Sequence, residues 1–470
     1  MAPHPSLHTV PFNRALESVS SLRRGERLLL TTHLSSVKAF FAGALLQKTG
    51  RPLLVIAPTR EGGERFITNA RFFLGKDKVF FFPSWELLPF EEQSPHTEIA
   101  ASRMEVLYSL SNGAPTLVVT TPRALMQRVL PAEAFIDAIE TIEASKNVAI
   151  APFIEKMENR GYSPMALVEE RGEMSVRGGI VDLFPPLYPY PVRVELFGDT
   201  IESLRFFDPT TQRSGDAVDR ITILPAREVI TGNEARARAL TALKVRGDEL
   251  GIARERREII AERMRSGLSF AGMEFFLPLF YERLDTLFDY LPKETLLLVD
   301  CEEEIHGEAH YFQREIDEMA DKAIAGNRLI VRPERLYITP GLIEEQIAER
   351  GGLFFNDKAP PPDGRSIATS TAAELTAESN LDIRQDISLR REEILRPLVD
   401  RIATWLEKGW QAILAVSTEG QAERLKELLN AYRVHIEVET TVTLPLIGTI
   451  GRRGGEGASI EAAPSNHLPQ

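Results

Sequence analysis

The chain has 470 residues, of which 43% are hydrophobic and 26% are charged. This composition is typical of globular proteins, and the length predicts about three domains of the usual ~100–200 residues each. The formal net charge of -13 argues against general binding to nucleic-acid phosphates. The one cysteine, Cys301, excludes an internal disulfide framework and is typical of a reducing cytosol. Because no apolar run approaches the ~20 residues that a membrane helix needs, we expect a cytoplasmic protein without a membrane partner.

The first segment alternates short apolar runs with amphipathic helices. The runs are residues 28–30, 53–56 and 116–119. Between them, apolar residues recur at helical spacing in the stretches 37–45 and 99–110. This rhythm predicts a parallel sheet that is covered on both faces.

A second, smaller α+β unit is predicted from about Asp137 onward. Residues 173–207 are rich in β-branched and aromatic side chains and are punctuated by glycine and proline, as antiparallel strands and their turns are. The charged region 234–265 is predicted to be helical and solvated. The apolar run 295–300 is predicted to be a buried strand, a candidate to rejoin the first sheet, with a helix after it from about residue 302 to 319.

The proline-rich stretch 358–364 predicts a domain boundary, because consecutive prolines neither continue a helix nor donate to a sheet. After it, strand candidates at 412–416 and 434–438 flank a helix candidate at 419–432 and predict a compact βαβ unit. The tail 451–470 is glycine-rich, polar and aperiodic, and we expect it to be disordered or artificially ended.

The first strand-to-helix turn is where an α/β fold would carry a phosphate-binding loop. Such a loop needs glycines for close backbone approach to the phosphates, then a lysine and a hydroxyl residue. With Lys38 as the loop lysine, Thr32 and Val37 occupy the two glycine positions and Ala39 replaces the magnesium-binding hydroxyl. We therefore expect no bound nucleotide here, and instead an ordinary helix N-terminus capped by Ser35 or Ser36.

Two histidines, His306 and His310, are four residues apart on the helix predicted from residue 302, so they share a face on which two imidazoles can chelate zinc. Gly307 stands where the metalloprotease helix has its glutamate, and no third ligand is identified. We expect solvated histidines, with Glu302 beside His306, and neither a metal site nor catalytic residues.

The stretch 191–199 is predicted to be a strand with two unlike faces. Val192, Val194 and Leu196 alternate with Arg193, Glu195 and Phe197. A phenylalanine beside an arginine on a polar face is typical of protein interfaces. The alternative is that Phe197 curls under a loop as a satellite core residue.

Upstream, the pair Gly178-Gly179 permits a bulge or tight bend between two strand-like runs. Such a bend presents Arg177, and Arg177 and Arg193 are then candidates to converge on one surface. The alternative is that Arg177 is an ordinary turn residue.

Taken together, several segments resemble the UvrA-binding domain that the excinuclease subunit UvrB shares with the bacterial transcription-repair coupling factors. They are residues 161–162, 171–173, 177–185 (RGGIVDLFP), 193–205 (RVELFGDTIESLR), 207–208 and 212–213. Upstream, residues 83–91, 94–96, 102–103 and 121–128 resemble the coupling factors in particular. The likeness covers residues 20–340 well and the later βαβ unit only loosely.

UvrB itself is the alternative within this resemblance. UvrB keeps an intact phosphate loop and a long tyrosine-rich hairpin, whereas the loop is degraded here and residues 80–98 are short and contain no tyrosine. The resemblance therefore implies an α/β fold: a degenerate P-loop ATPase-like parallel sheet with an inserted α+β UvrA-binding domain, followed by a small α/β domain.

The expected bounds follow from the same resemblance and from the changes in pattern along the chain. They are 1–136 and 225–345 for the two parts of the ATPase-like domain, 137–224 for the UvrA-binding domain, 346–368 for a linker, 369–450 for the small domain and 451–470 for the tail.

The resemblance also implies UvrA as the partner. The family's UvrA-contacting arginine before the glycine pair falls on Arg177, its second arginine on Arg193, and the aromatic four residues later on Phe197. In the family, a domain that binds RNA polymerase and an ATP- and magnesium-dependent translocase on double-stranded DNA follow this module. No motor motif is found here, so we expect a chain truncated before them, without a cofactor and not itself an enzyme.

Overall fold

The computed structural model describes residues 9–32, 34–114, 116–356, 371–374, 393–408 and 418–432, with isolated positions at 383, 386, 387, 414, 416 and 434. The strands are β1 (Arg27–Thr31), β2 (Leu53–Ile56), β3 (Val79–Phe82), β4 (Leu117–Thr120), β5 (Glu140–Glu143), β6 (Ser163–Pro164), β7 (Glu173–Arg177), β8 (Ile180–Leu183), β9 (Val192–Phe197), β10 (Thr200–Phe207), β11 (Ser214–Ala217), β12 (Arg220–Ile223), β13 (Leu296–Asp300), β14 (Gly352–Asn356) and β15 (Thr371–Glu374).

The helices are α1 (Thr9–Ser20), α2 (Ser35–Thr49), α3 (Arg60–Leu74), α4 (Thr97–Ser111), α5 (Pro122–Met126), α6 (Ala132–Asp137), α7 (Ile150–Asn159), α8 (Asn233–Glu249), α9 (Arg254–Ser266), α10 (Leu277–Phe280), α11 (Leu287–Tyr290), α12 (Glu302–Ala325), α13 (Pro333–Leu336), α14 (Pro340–Arg350), α15 (Arg396–Glu407) and α16 (Glu419–Asn430). Short 3₁₀ helices lie at Lys76–Lys78 and Met273–Phe276. In the part of the chain that the structure describes, no helix is long and apolar enough to span a bilayer.

A seven-stranded sheet in the order β15-β1-β14-β13-β2-β4-β3 forms the larger body, and every neighbouring pair in it is parallel. Alternate side chains of each strand enter different cores. Leu53 and Val55 of β2 pack in the layer under α1, α2 and α3, whereas Leu54 and Ile56 face the layer that includes α4 and α12. The apolar runs are continuous because both faces of the sheet are covered.

The centre of this sheet comes from two distant parts of the sequence. β13 lies between β2 and β14, so the predicted return of residues 295–300 to the first sheet is confirmed. β14 lies between β13 and β1 and is buried, so the predicted linker 346–368 is wrong as far as Asn356. Its first residues form the end of α14 and the strand β14. The edge strand β15 pairs with β1, within the range predicted for a separate small domain.

Between α6 and α8 the chain builds a separate six-stranded sheet in the order β11-β10-β9-β8-β7-β6. Its apolar face packs on α7, with Val181, Val194, Ile201 and Met157 buried in one cluster. The entering strand β5 pairs antiparallel with the leaving strand β12, so the two connections to the larger body lie side by side. This arrangement confirms the predicted class, a parallel α/β sheet with an inserted α+β unit.

A buried ion pair fixes the point at which the inserted unit rejoins the larger body. Arg103 of α4 is fully buried and donates through Nε to Glu228 Oε1 at 2.6 Å. Its Nη1 also donates to the carbonyl oxygen of Pro83 at 2.7 Å, and the indole N–H of Trp85 donates to Glu228 at 3.2 Å. An exchange of one partner for an apolar residue would leave a buried charge uncompensated, so this contact holds the connection in one place.

The predicted helices are present, but some of them begin or end at other residues than predicted. The charged region 234–265 forms two helices, α8 and α9, separated by a turn at Gly251 with a φ of 65°. α12 runs on to Ala325, beyond the predicted end at 319. α16 agrees with the helix predicted at 419–432, whereas the two strands predicted around it fall almost wholly outside the described residues.

Gly352 of β14 lies too close to the neighbouring strand to carry a side chain. Its φ is 136°, and a Cβ there would overlap the carbonyl oxygen of Leu297 on the neighbouring strand. We expect Gly352→Ala to lower the free energy of unfolding by at least about 2 kcal/mol, measured by chemical denaturation. Gly341→Ala is the matched control, because a Cβ there meets nothing within 4 Å. Equal stabilities of the two variants would contradict this view of the sheet centre.

Candidate interaction surface of the inserted domain

The first hairpin of the inserted sheet turns at two glycines. β7 and β8 pair antiparallel with Arg177 opposite Ile180, and Gly178 and Gly179 form the whole connection. Gly178 has a φ of 60°, a conformation that favours glycine. The predicted bend is therefore a tight hairpin turn, and Arg177 is the last strand residue before it.

Gly179 brings this hairpin tip against the end of β9. The amide of Leu196 donates to the carbonyl oxygen of Gly179 at 2.7 Å. A Cβ on Gly179 would lie 2.7 Å from the carbonyl oxygen of Leu196, closer than real Cβ atoms approach. The missing side chain thus allows the Arg177 turn to lie directly beside the residue that precedes Phe197.

Strand β9 has the two faces that its alternation predicts. Val192 and Val194 are buried, whereas Arg193 and Glu195 lie on the opposite face. Leu196 is half-buried, and Phe197 is 82% exposed at the tip of the β9–β10 hairpin. The alternative that Phe197 is a satellite core residue is therefore wrong.

The two arginines meet at a third residue, Asp182 of β8. Arg177 Nη2 donates to Oδ2 at 2.6 Å, and Arg193 donates through Nε to Oδ1 at 2.8 Å and through Nη2 to Oδ2 at 3.0 Å. The Asp182 side chain is 1% exposed. The predicted convergence of Arg177 and Arg193 is confirmed, and its cause is a shared buried carboxylate.

Asp182 was not among the predicted site residues, although the sequence contains a signal for it. It stands within the apolar strand Ile180-Val181-Asp182-Leu183, where an ionised side chain needs an opposite charge. In the sheet register Asp182 lies directly opposite Arg193. A cross-strand charge pair of this kind stabilises the register as well as the charges.

The three predicted residues differ in how far they open to solvent. The Arg177 side chain is 47% exposed, whereas that of Arg193 is 15% exposed and its guanidinium lies 4.7 Å from the ring centroid of Phe207. Hydrogen bonding to Asp182 raises the pKa of Arg193 above its usual value, so the guanidinium stays charged. We call Arg177, Arg193 and Phe197 the hairpin surface. The side chains of Arg177 and Phe197 are exposed to solvent, whereas that of Arg193 is mostly buried.

In the predicted degraded phosphate loop, the lysine is paired with an aspartate of the parallel sheet. Lys38 is buried, and its Nζ lies 2.7 Å from Asp300 Oδ1 at the end of β13. Val37 and Ala39 are also buried, and the Thr32 amide donates to the carbonyl oxygen of Asn356 at 3.0 Å. The lysine that would bind phosphate thus lies in an internal ion pair.

The predicted capping of α2 by Ser35 or Ser36 is wrong. The helix begins at Ser35, its N-cap residue is Leu34, and no side chain caps it. Both serines lie inside the first turn, where their hydroxyls no longer occupy the N-cap position that reaches the free amides.

Each of the two histidines of α12 lies beside a glutamate. His306 Nε2 lies 4.0 Å from Glu302, as its spacing predicts, and His310 Nε2 lies 3.5 Å from Glu344 of α14. Across the described ranges, no group of three or more His, Cys, Asp or Glu residues is placed to hold a metal ion.

Comparison with known proteins places the hairpin surface within a defined family domain. Residues 139–229 match the family model described as the UvrB interaction domain. The chain is similar to transcription-repair-coupling factors of Myxococcus xanthus (30% identical over 93% of this chain and 37% of the relative), Haemophilus influenzae (29%, 77% and 30%) and Escherichia coli (27%, 88% and 35%). The chain spans about a third of the length of these relatives.

The contact of Gly179 with β9 can be tested by a single methyl group. We expect Gly179→Ala to force the two hairpin tips apart and to lower the free energy of unfolding by about 1–3 kcal/mol, measured by chemical denaturation. Gly215→Ala in β11 is the control, because its Cβ would lie at an ordinary 3.6 Å from the nearest atom. If Gly179→Ala is no less stable than Gly215→Ala, the close approach does not constrain the hairpin.

Proposed function

We propose that this chain, which belongs to the family of transcription-repair-coupling factors and carries a UvrB interaction domain, binds the excision-repair protein UvrA through its hairpin surface. The observation that carries the proposal is the exposed ring of Phe197 on the strand that also carries Arg193, together with two arginines held by one carboxylate. The family resemblance assigns UvrA contacts to the same three residues, Arg177, Arg193 and Phe197.

The chemistry of the hairpin surface fits a protein partner. An aromatic ring at 82% exposure is unfavourable in water, and its burial in a partner pocket is a strong source of binding energy. Arg177 uses Nη2 for Asp182, and its side chain as a whole is 47% exposed. A guanidinium in a fixed orientation suits a carboxylate or carbonyl group on the partner.

At the level of the cell, we propose that UvrA binding recruits nucleotide excision repair to RNA polymerase stalled at DNA damage, in the cytoplasm. Displacement of the polymerase by ATP-driven translocation on double-stranded DNA, with magnesium, is proposed for a longer protein that includes this module. The similarity of the chain to transcription-repair-coupling factors supports this role.

For the chain itself we propose a binding role without catalysis or a nucleotide. The buried ion pair of Lys38 with Asp300 supports this proposal, because a nucleotide would have to break that pair to reach the lysine. Val37 beside the lysine lacks the backbone freedom that phosphate-binding glycines supply.

If UvrA binds the hairpin surface, single alanine substitutions there should greatly lower the affinity for UvrA. We expect Phe197→Ala and Arg177→Ala each to weaken UvrA binding by about 2 kcal/mol, measured by isothermal titration calorimetry, because each removes an anchor of the hairpin surface. Tyr190→Ala and Arg220→Ala are matched controls, an exposed aromatic residue and an exposed arginine of the same domain, and should bind normally. Unchanged affinity after simultaneous replacement of Arg177, Arg193 and Phe197, with the fold intact by circular dichroism, would refute the proposal.

If the chain binds no nucleotide, as proposed, ATP should not stabilise it against heat. A ligand selective for the folded chain must raise its melting temperature by mass action, and we expect no shift at millimolar ATP and magnesium. Lys38→Met serves as the comparison: a shift in the unaltered chain that disappears in this variant would mean that Lys38 binds nucleotide after all.

A further inference from the structure

We propose that Asp182 is a positioning residue for UvrA recognition: it holds Arg177 and Arg193 in the arrangement that the partner binds, without touching the partner itself. The inference rests on the proposed function of the hairpin surface. It adds a residue to which neither the family resemblance nor the comparisons give a role.

The Asp182 carboxylate binds both arginines at once. Its two carboxylate oxygens accept three charge-assisted hydrogen bonds, one from Arg177 and two from Arg193. The paired contact with Arg193 fixes both the position and the plane of that guanidinium. Arg193 is held further by the ring of Phe207 at 4.7 Å and by Ser214 Oγ at 3.3 Å from Nη1.

Direct contact of Asp182 with a partner is ruled out by its burial. Its side chain is 1% exposed, beneath two arginines that are 47% and 15% exposed. Any effect of Asp182 on binding must therefore pass through Arg177, Arg193 or the fold. This property separates it from Phe197, which is open to a partner and has no described hydrogen bond or ring contact with Asp182.

Asp182 influences the affinity for UvrA through two physical effects. Without a carboxylate between them, the guanidinium groups of Arg177 and Arg193 are like charges held close together, and they repel. An unrestrained arginine also samples many rotamers, and binding must then order it at an entropic cost. Asp182 removes both costs before the partner arrives.

The test begins with Asp182→Asn, which keeps the shape and removes the charge. We expect UvrA affinity to fall by about tenfold, with the loss in the dissociation rate and less than about threefold change in the association rate. Surface plasmon resonance measures both rates. Glu143→Gln, which removes one carboxylate of an exposed ion pair with Arg220 in the same domain, should leave both rates unchanged.

Double variants separate a positioning role from a general structural role. Because Asp182 acts through Arg177 as well as Arg193, part of the effect of Asp182→Asn should disappear when Arg177 is already alanine, so that the effect shrinks by at least about threefold. In a Phe197→Ala background the effect should persist in full. An equal loss in both backgrounds would overturn the proposal, since a change in the fold would affect both alike.

A charge-preserving variant covers the case in which Asp182→Asn is too unstable to assay. Asp182→Glu keeps the carboxylate, so at matched folded fraction it should bind UvrA more tightly than Asp182→Asn and within about tenfold of the unaltered chain. An Asn variant that binds as tightly as the Glu variant would overturn the proposal, as would a folded Glu variant that binds no better than Arg177→Ala.

The two proposals fail in different ways. If replacement of Arg177, Arg193 and Phe197 abolishes UvrA binding but Asp182→Asn leaves it within twofold of normal, only the positioning role is wrong. If the triple replacement itself has no effect, the proposed function is wrong, and the positioning role is wrong with it.

Discussion

A buried carboxylate in the middle of the inserted sheet accepts hydrogen bonds from an arginine on each neighbouring strand. In such surroundings an unpaired carboxylate is costly. Arg193 lies directly opposite Asp182 in the strand register, whereas Arg177 lies opposite Ile180 and reaches Asp182 from a diagonal position. The positions of both guanidinium groups therefore depend on the same carboxylate. The exposed ring of Phe197 lies at the end of the same strand as Arg193.

The larger body provides a fixed base for this domain. The polypeptide leaves the parallel sheet after β4 and returns to its centre as β13 and β14, so the inserted unit is attached by two connections that lie side by side. The buried pair of Arg103 and Glu228 anchors the returning connection. A second ion pair acts within the larger body: Lys38 pairs with Asp300 at the end of β13 and links α2 to the centre of the sheet.

Much of this arrangement could be predicted from the sequence, where local pattern and tertiary environment agree. The apolar runs of β2 and β4, the two faces of β9 and the glycine turn after Arg177 all follow from side-chain period and backbone freedom. β14 could not be predicted, because it is a five-residue run beside glycines and near a proline-rich stretch, and only its neighbours β1 and β13 make it a strand. The shared role of Asp182 depends on register between strands, which a single sequence does not specify.

Hydrogen exchange of this chain, with and without UvrA, locates the contact without altering a residue. If UvrA binds the hairpin surface, amide exchange should slow in the two hairpins that carry it, residues 173–183 and 192–207, with little change in α8 and α9. If UvrA binds but leaves those hairpins unprotected and instead slows exchange in the parallel sheet or its helices, the hairpin surface is not the UvrA site.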